Sequence, residues 1–170
     1  MIILGCDPGL TGAFAAVDTA SERVLSCVDM PIYLQGRRSA RFHKRAIDPE
    51  GVTDWLSGQK LCGAARLAIE EVQGLPGQSA PAAFNFGYGY GIVLSIARML
   101  GFEICTSRPQ QWKGFFGIQG GGPKGKQDSL VHARRLFPHD SGHWPRTSDH
   151  GRAEAALIAL YGAREVWRDK

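Results

Sequence analysis

Apolar residues along the chain fall into short runs separated by turn-forming residues. Ile2-Ile3-Leu4-Gly5-Cys6-Asp7 is apolar until its last residue and is followed by Pro8-Gly9, which predicts a buried strand and a turn. Residues 12–17 and 23–28 predict two more strands joined by a hairpin at 19–22, so the first third is an antiparallel meander. Residues 31–46 are polar, basic and irregular. Asp48-Pro49-Glu50 then supplies an N-cap with proline at the first helical position, predicting a helix to about Leu56. Residues 66–72 predict a fourth strand, and 73–81, with Gly and Pro, a loop. The spacing of Phe86, Tyr90, Val93, Leu94 and Ala97 predicts a helix over 82–100, stopped by Gly101. A fifth strand (102–106) and a short helix (109–116) follow, then a glycine-rich flexible loop (117–125). Helices are predicted over 126–137 and 149–167, with a loop at 139–147. A three-stranded meander followed by alternating helices and strands is an α/β pattern.

Composition narrows the picture. The 170 residues suit one domain spanning 1–170 with a real core, and 44% hydrophobic with 21% charged residues is ordinary for a globular protein. A net charge of +4 is compatible with nucleic acid without requiring it. Its distribution says more: residues 36–45 hold Arg37, Arg38, Arg41, Lys44 and Arg45 with no acid among them. Such a run is either a solvated loop or a set of contacts to a phosphate backbone. Cys6, Cys27, Cys62 and Cys105 form no CxxC pair, which disfavours zinc and suits reduced core thiols. No apolar run approaches the roughly 18–20 residues that span a bilayer, and no secretion leader is visible. The expectation is a cytoplasmic protein, bacterial or phage-encoded, with no membrane partner.

The candidate chemistry lies in the acids. Asp7 ends the first strand and Glu70 a strand predicted beside it, while Asp149 and Glu154 open the last helix. A lone carboxylate at the edge of an apolar element is costly, so several on different elements point to a shared purpose. Oxygen-rich carboxylate clusters suit Mg2+ or Mn2+. Two such ions can activate water and stabilise the leaving oxygen of a phosphodiester. Taken singly, each acid also has a structural reading, Asp149 as a helix cap among them. Strand alternation turns Glu71 away from Glu70, and Glu70 is the chosen ligand. His150 shares a helical face with Glu154, as a metal ligand, a partner of one, or a helix-terminal histidine. Lys126 follows the glycine loop and is placed to stabilise charge on a phosphate or donate a proton. Three glycines within Phe86-Gly87-Tyr88-Gly89-Tyr90-Gly91 cost about 1 kcal/mol each in a helix, so a subunit, helix or DNA strand is expected close to that face.

These motifs together resemble the RuvC-like Holliday junction resolvases, particularly the chloroplast-type branch and its bacterial and phage relatives. The matching stretches are GCDPGLTGAFA (5–15), AIEEVQ (68–73), FNFGYGYG (84–91), Gln111-Trp112-Lys113, Gly125-Lys126-Gln127-Asp128-Ser129 and DHGRAEAALIALYG (149–162). The resemblance implies a ribonuclease H-like fold, a mixed five-stranded sheet flanked by helices. It also implies a homodimer that cuts four-way DNA junctions by paired symmetric nicks, with two Mg2+ or Mn2+ ions per site. It places metal-binding carboxylates at Asp7, Glu70, Asp149 and Glu154 and an active-site lysine at Lys126. Lys113 and Lys124 join the basic run as expected DNA contacts. Rival readings are a junction-binding module that does not cut, another ribonuclease H-like nuclease, and an actin-like ATPase; the chain is too short for the two lobes of the last.

Overall fold

The computed structural model describes residues 1–35, 44–74, 77–119 and 122–168. In chain order the strands are β1 (Ile2–Asp7), β2 (Ala13–Asp18), β3 (Arg23–Asp29), β4 (Ile32–Gln35), β5 (Lys44–Ile47), β6 (Arg66–Glu70) and β7 (Glu103–Ser107). The helices are α1 (Pro49–Leu61), α2 (Ala80–Met99), α3 (Pro109–Phe115), α4 (Gly122–Leu136) and α5 (His150–Tyr161). Five strands form one sheet in the order β3-β2-β1-β6-β7. The meander β1–β2–β3 is antiparallel, whereas β6 runs parallel to β1 and β7 parallel to β6. The expected mixed five-stranded sheet is therefore present, with β1 at its centre.

Strand alternation divides the core between two faces. On one face Ile3, Ala13, Ala15, Val17 and Ala68 pack with the buried residues of α4 and α5. On the other, Leu4, Cys6, Phe14, Ala16, Leu67 and Ile69 pack with Val52 and Leu56 of α1 and Val93 and Ala97 of α2. Phe14 stacks on Trp55 there, with ring centroids 4.9 Å apart. The same alternation carries Asp7 and Glu70, two residues beyond Gly5 and Ala68, to the α5 face.

Small residues let α5 lie directly on the sheet. Ala153, Ala155, Ala156 and Ala159 are fully buried, and any Cβ on Gly5 would run into the backbone of Ala155. At the start of α5, a Cβ on Gly151 would meet the Thr11 carbonyl at 2.6 Å. The helix is thus seated against the turn that follows β1. That contact fixes where Glu154 stands relative to Asp7.

Several elements depart from expectation. Residues 31–46 include the hairpin strands β4 and β5, paired from Ile32–Ile47 to Gln35–Lys44. Ile32, Tyr33 and Leu34 supply β-favouring side chains that the neighbouring basic run obscures. Helix α1 extends to Leu61, past the expected end near Leu56. Helix α4 begins at Gly122, so Lys124 lies in its first turn and not in a flexible loop, and Lys126 stands a turn inside the helix instead of opening it. Pro123 favours that start, since a proline costs no hydrogen bond in a first turn. Short helical turns at Pro138–His143 and Thr147–Asp149 fill most of the loop expected before α5. Of the α2 glycines, only Gly89 is tightly packed: a Cβ there would stand 2.6 Å from Ile47 Cδ1, while Gly87 and Gly91 have no such neighbour within 4 Å. Among the described residues, no helix is long and apolar enough to cross a membrane.

Candidate active site

The parallel pairing of β1 with β6 matches Gly5 to Ala68 and Cys6 to Ile69, so Asp7 and Glu70 leave the sheet side by side. Both line a cavity of about 410 Å³ together with Glu71, Lys113, Lys126, His150 and Glu154. Three of the expected carboxylates thus converge from β1, β6 and α5. Lys126 stands exposed at the same cavity.

Each acid has a distinct set of partners. Asp7 Oδ1 accepts from the Gly9 backbone N–H at 3.3 Å. Glu70 Oε2 accepts from the indole Nε1 of Trp112 at 2.8 Å, and Trp112 itself is fully buried on α3. Glu154, 7% exposed, lies beside two donors: Ser129 Oγ at 2.9 Å and Lys113 Nζ at 3.2 Å, both on its Oε1. Ser129 Oγ is also 2.9 Å from the Gly125 carbonyl, so its one proton serves two acceptors.

Crowding of like charges out of water shapes the titration of this group. Asp7 is pushed up to about 7, first by burial and then by the negative charges of Glu154 and Glu70. Glu70 is raised too, chiefly by burial and further by Glu154, against the opposing pull of Trp112 and Lys113. His150 is lowered by burial and by the nearby Lys126 ammonium, and its buried Nδ1 has no hydrogen-bond partner. Hard oxygens short of positive charge, with an unsatisfied imidazole nitrogen beside them, suit a divalent cation. As the side chains stand, no three His, Cys, Asp or Glu among the described residues are grouped to hold one ion.

Asp149 stands apart from the other three expected ligands. Its buried carboxylate is committed to Arg146, at 2.6 Å from Nη2 and 2.9 Å from the backbone N–H, and it does not line the cavity. The short helical turn Thr147–Asp149 ends with Asp149 folded back onto the residue that precedes the turn. His150 takes the place at the cavity that was expected of Asp149. Glu71 also differs from expectation. It lies just past the end of β6, where alternation no longer applies, and lines the cavity while paired with Arg108 at 3.3 Å.

The expected DNA contacts separate into three groups. Arg37, Arg38 and Arg41 lie outside the described residues, as does the side chain of Lys44, whose backbone opens β5. Arg45 is exposed on β5 and Lys124 on α4, and neither lines the cavity. Lys113 is largely withdrawn from solvent and paired with Glu154, which a free phosphate contact would not predict. Sequence reasoning missed Trp112 and Ser129 as partners of the acids. The signal available for Trp112 was an indole N–H on a short helix following the fifth strand, since a buried Trp seeks an acceptor.

Comparison with solved structures matches the fold along nearly the whole chain. Over 97% of this chain and 96% of the other, it superposes on Thermus thermophilus RuvC in complex with a Holliday junction substrate, with a TM-score of 0.67 and 18% identity. The chain has the RuvC fold, of ribonuclease H-like type. A second Thermus thermophilus RuvC structure gives a TM-score of 0.59 at 16% identity, covering 96% of both chains. The RuvC-like chain is also 36% identical over 87 residues to the chloroplastic Holliday junction resolvase MOC1 of Chlamydomonas reinhardtii. That match takes in 51% of this chain and 10% of the length of MOC1. No family model matches the sequence. The resemblance read from the motifs thus points to the same group of proteins as both comparisons that matched.

Proposed function

We propose that this chain is a structure-selective endodeoxyribonuclease that resolves four-way DNA junctions by paired symmetric nicks, using Mg2+ or Mn2+. The observation that carries the reading is the convergence of Asp7, Glu70 and Glu154, from three elements of a RuvC-like fold, on one lysine-bearing cavity. In this proposal those three carboxylates hold two cations, with His150 as a further donor. When bound, such ions activate a water and offset charge on the phosphate. The protein's own residues do the rest. Trp112 orients Glu70, Ser129 orients Glu154, and exposed Lys126 meets the phosphate. The basic residues Arg37, Arg38, Arg41, Lys44, Arg45 and Lys124 engage the DNA backbone, and Lys113 does so once released from Glu154.

The similarity to a RuvC structure that contains a Holliday junction supports a branched DNA substrate. Paired nicks need two active sites and each chain supplies one, which supports a homodimer with twofold symmetry. The proposal treats residues 1–170 as one nuclease domain working in the cytoplasm of a bacterium or on phage DNA. A comparison of substrates tests it: four-way junction, linear duplex and RNA–DNA hybrid, each with Mg2+, Mn2+ or chelator. Cation-dependent cutting of the junction alone is expected. Preferential cutting of the hybrid would move the protein to another ribonuclease H-like activity, and tight junction binding without cutting would make it a binding module.

A further inference from the structure

We propose that Lys113 is the built-in counter-ion of the carboxylate site, and that a divalent cation enters by displacing its ammonium from Glu154. The inference rests on the cation-dependent reading given above and concerns how that site is loaded.

Neighbouring residues of α3 address two of the three acids. Trp112 donates to Glu70 at 2.8 Å, and Lys113 Nζ lies 3.2 Å from Glu154 Oε1. The two contacts differ in charge. A neutral indole can keep its hydrogen bond while the other oxygens of Glu70 and its neighbours turn to a cation. An ammonium on Glu154 Oε1 is repelled instead, because a cation on the same carboxylate brings a second positive charge close to it. The Lys113 and Glu154 side chains are only 17% and 9% exposed, so water screens that repulsion poorly. Nζ also sits 4.9 Å from the centroid of the Trp112 ring, which gives the charge a second attractive surface.

The ammonium acts beyond Glu154, because its field favours the charged forms of Asp7 and Glu70 as well. One lysine therefore balances part of the charge of three acids, the same service a divalent cation performs more fully. Lysine suits this placeholder role: its charge is compact and its four-carbon stem can carry it out of the cavity. Lys126 has a different position, being exposed and without a described ion pair to Glu154.

Manganese binding by calorimetry tests this, with no cleavage involved. The comparison is made on wild type, Lys113→Met, Lys113→Gln and Lys113→Arg at pH 8.5, where Asp7 has lost its proton. Both neutral variants are expected to bind Mn2+ more tightly than wild type, on the order of tenfold, while Lys113→Arg stays near wild type. In chelator, the neutral variants should melt below wild type, and saturating Mn2+ should close that gap. The proposal is overturned if wild type takes up Mn2+ and neither neutral variant binds it more tightly, or if Lys113→Arg gains as much as they do. If no form of the protein takes up Mn2+, the proposal and the cation-dependent reading fall together. The use of two neutral variants keeps the comparison available should one of them fail to fold.

Discussion

Asp7 and Glu70 stand side by side at the ends of adjacent parallel strands, one step beyond the paired Cys6 and Ile69. Burial, reinforced by the charge of Glu154 and, for Asp7, by that of Glu70, raises the proton affinity of both. For Asp7, raised from 3.8 to about 7, the folded protein holds a proton that the unfolded chain has released across that interval. Stability of the cation-free protein should therefore fall as pH rises from about 4 to about 7. Asp7→Asn removes the charge, so its stability advantage over wild type should widen with pH by at most about 1.4 kcal/mol per unit. Urea unfolding in chelator at several pH values checks this, and a constant gap would refute it. The same variant should lose cleavage while keeping or strengthening junction binding, because a carboxylate that repels phosphate has gone.

Trp112→Phe keeps an aromatic ring in the core but removes the donor to Glu70 together with part of the buried indole. Hydrogen bonds to charged groups contribute about 1.5–3 kcal/mol, so a loss of at least that size is expected in urea unfolding, with the emptied volume adding to it. Cleavage should fall with it, and added Mn2+ should recover part of the stability by supplying Glu70 with a new partner. Unchanged stability would show that the indole bond carries no weight.

Much of this site was legible in the sequence, for a physical reason. Asp7, Glu70 and Glu154 each interrupt an apolar run at the end or start of an element, where a lone charge is costly. The meander and the fourth and fifth strands followed from apolar runs with clear turn signals, and their mixed pairing from the family resemblance. Other features were hidden. Ser129 reads as an ordinary polar residue of a helix, and only α4 packing against α5 buries it at Glu154. The β4–β5 hairpin was masked by its charged neighbours. Asp149 is ambiguous in the sequence because an acid before a helix looks the same whether it faces a cavity or its own preceding turn.

Asp149→Asn separates those two roles. Its carboxylate is held low by the Arg146 guanidinium and backbone N–H, so it stabilises the fold above the ordinary carboxylate range and less as pH falls through it. Because Arg146 is largely exposed, the loss in the variant should be modest, about 1–2 kcal/mol. Mn2+ affinity should stay near wild type, whereas Glu154→Gln should lower it sharply. Calorimetry on both variants decides, and loss of binding in Asp149→Asn would return that residue to the ligand set.

The basic run carries a prediction of its own. Replacing Arg37, Arg38, Arg41, Lys44 and Arg45 with glutamine should weaken junction binding and flatten its dependence on salt, by about 0.9 in the log–log slope for each phosphate that is no longer neutralised. Binding isotherms from low to moderate salt measure the slope. An unchanged slope would leave the run without a role on DNA.

The most direct test of the central claim is cleavage of a strand-labelled four-way junction by the purified chain, with the nick positions mapped on all four strands. Nicks are expected at symmetric positions on two opposing strands, dependent on Mg2+ or Mn2+, and lost in Asp7→Asn, Glu70→Gln and Glu154→Gln alike. Cutting that persists in chelator, or that survives removal of any of these three carboxylates, would contradict it.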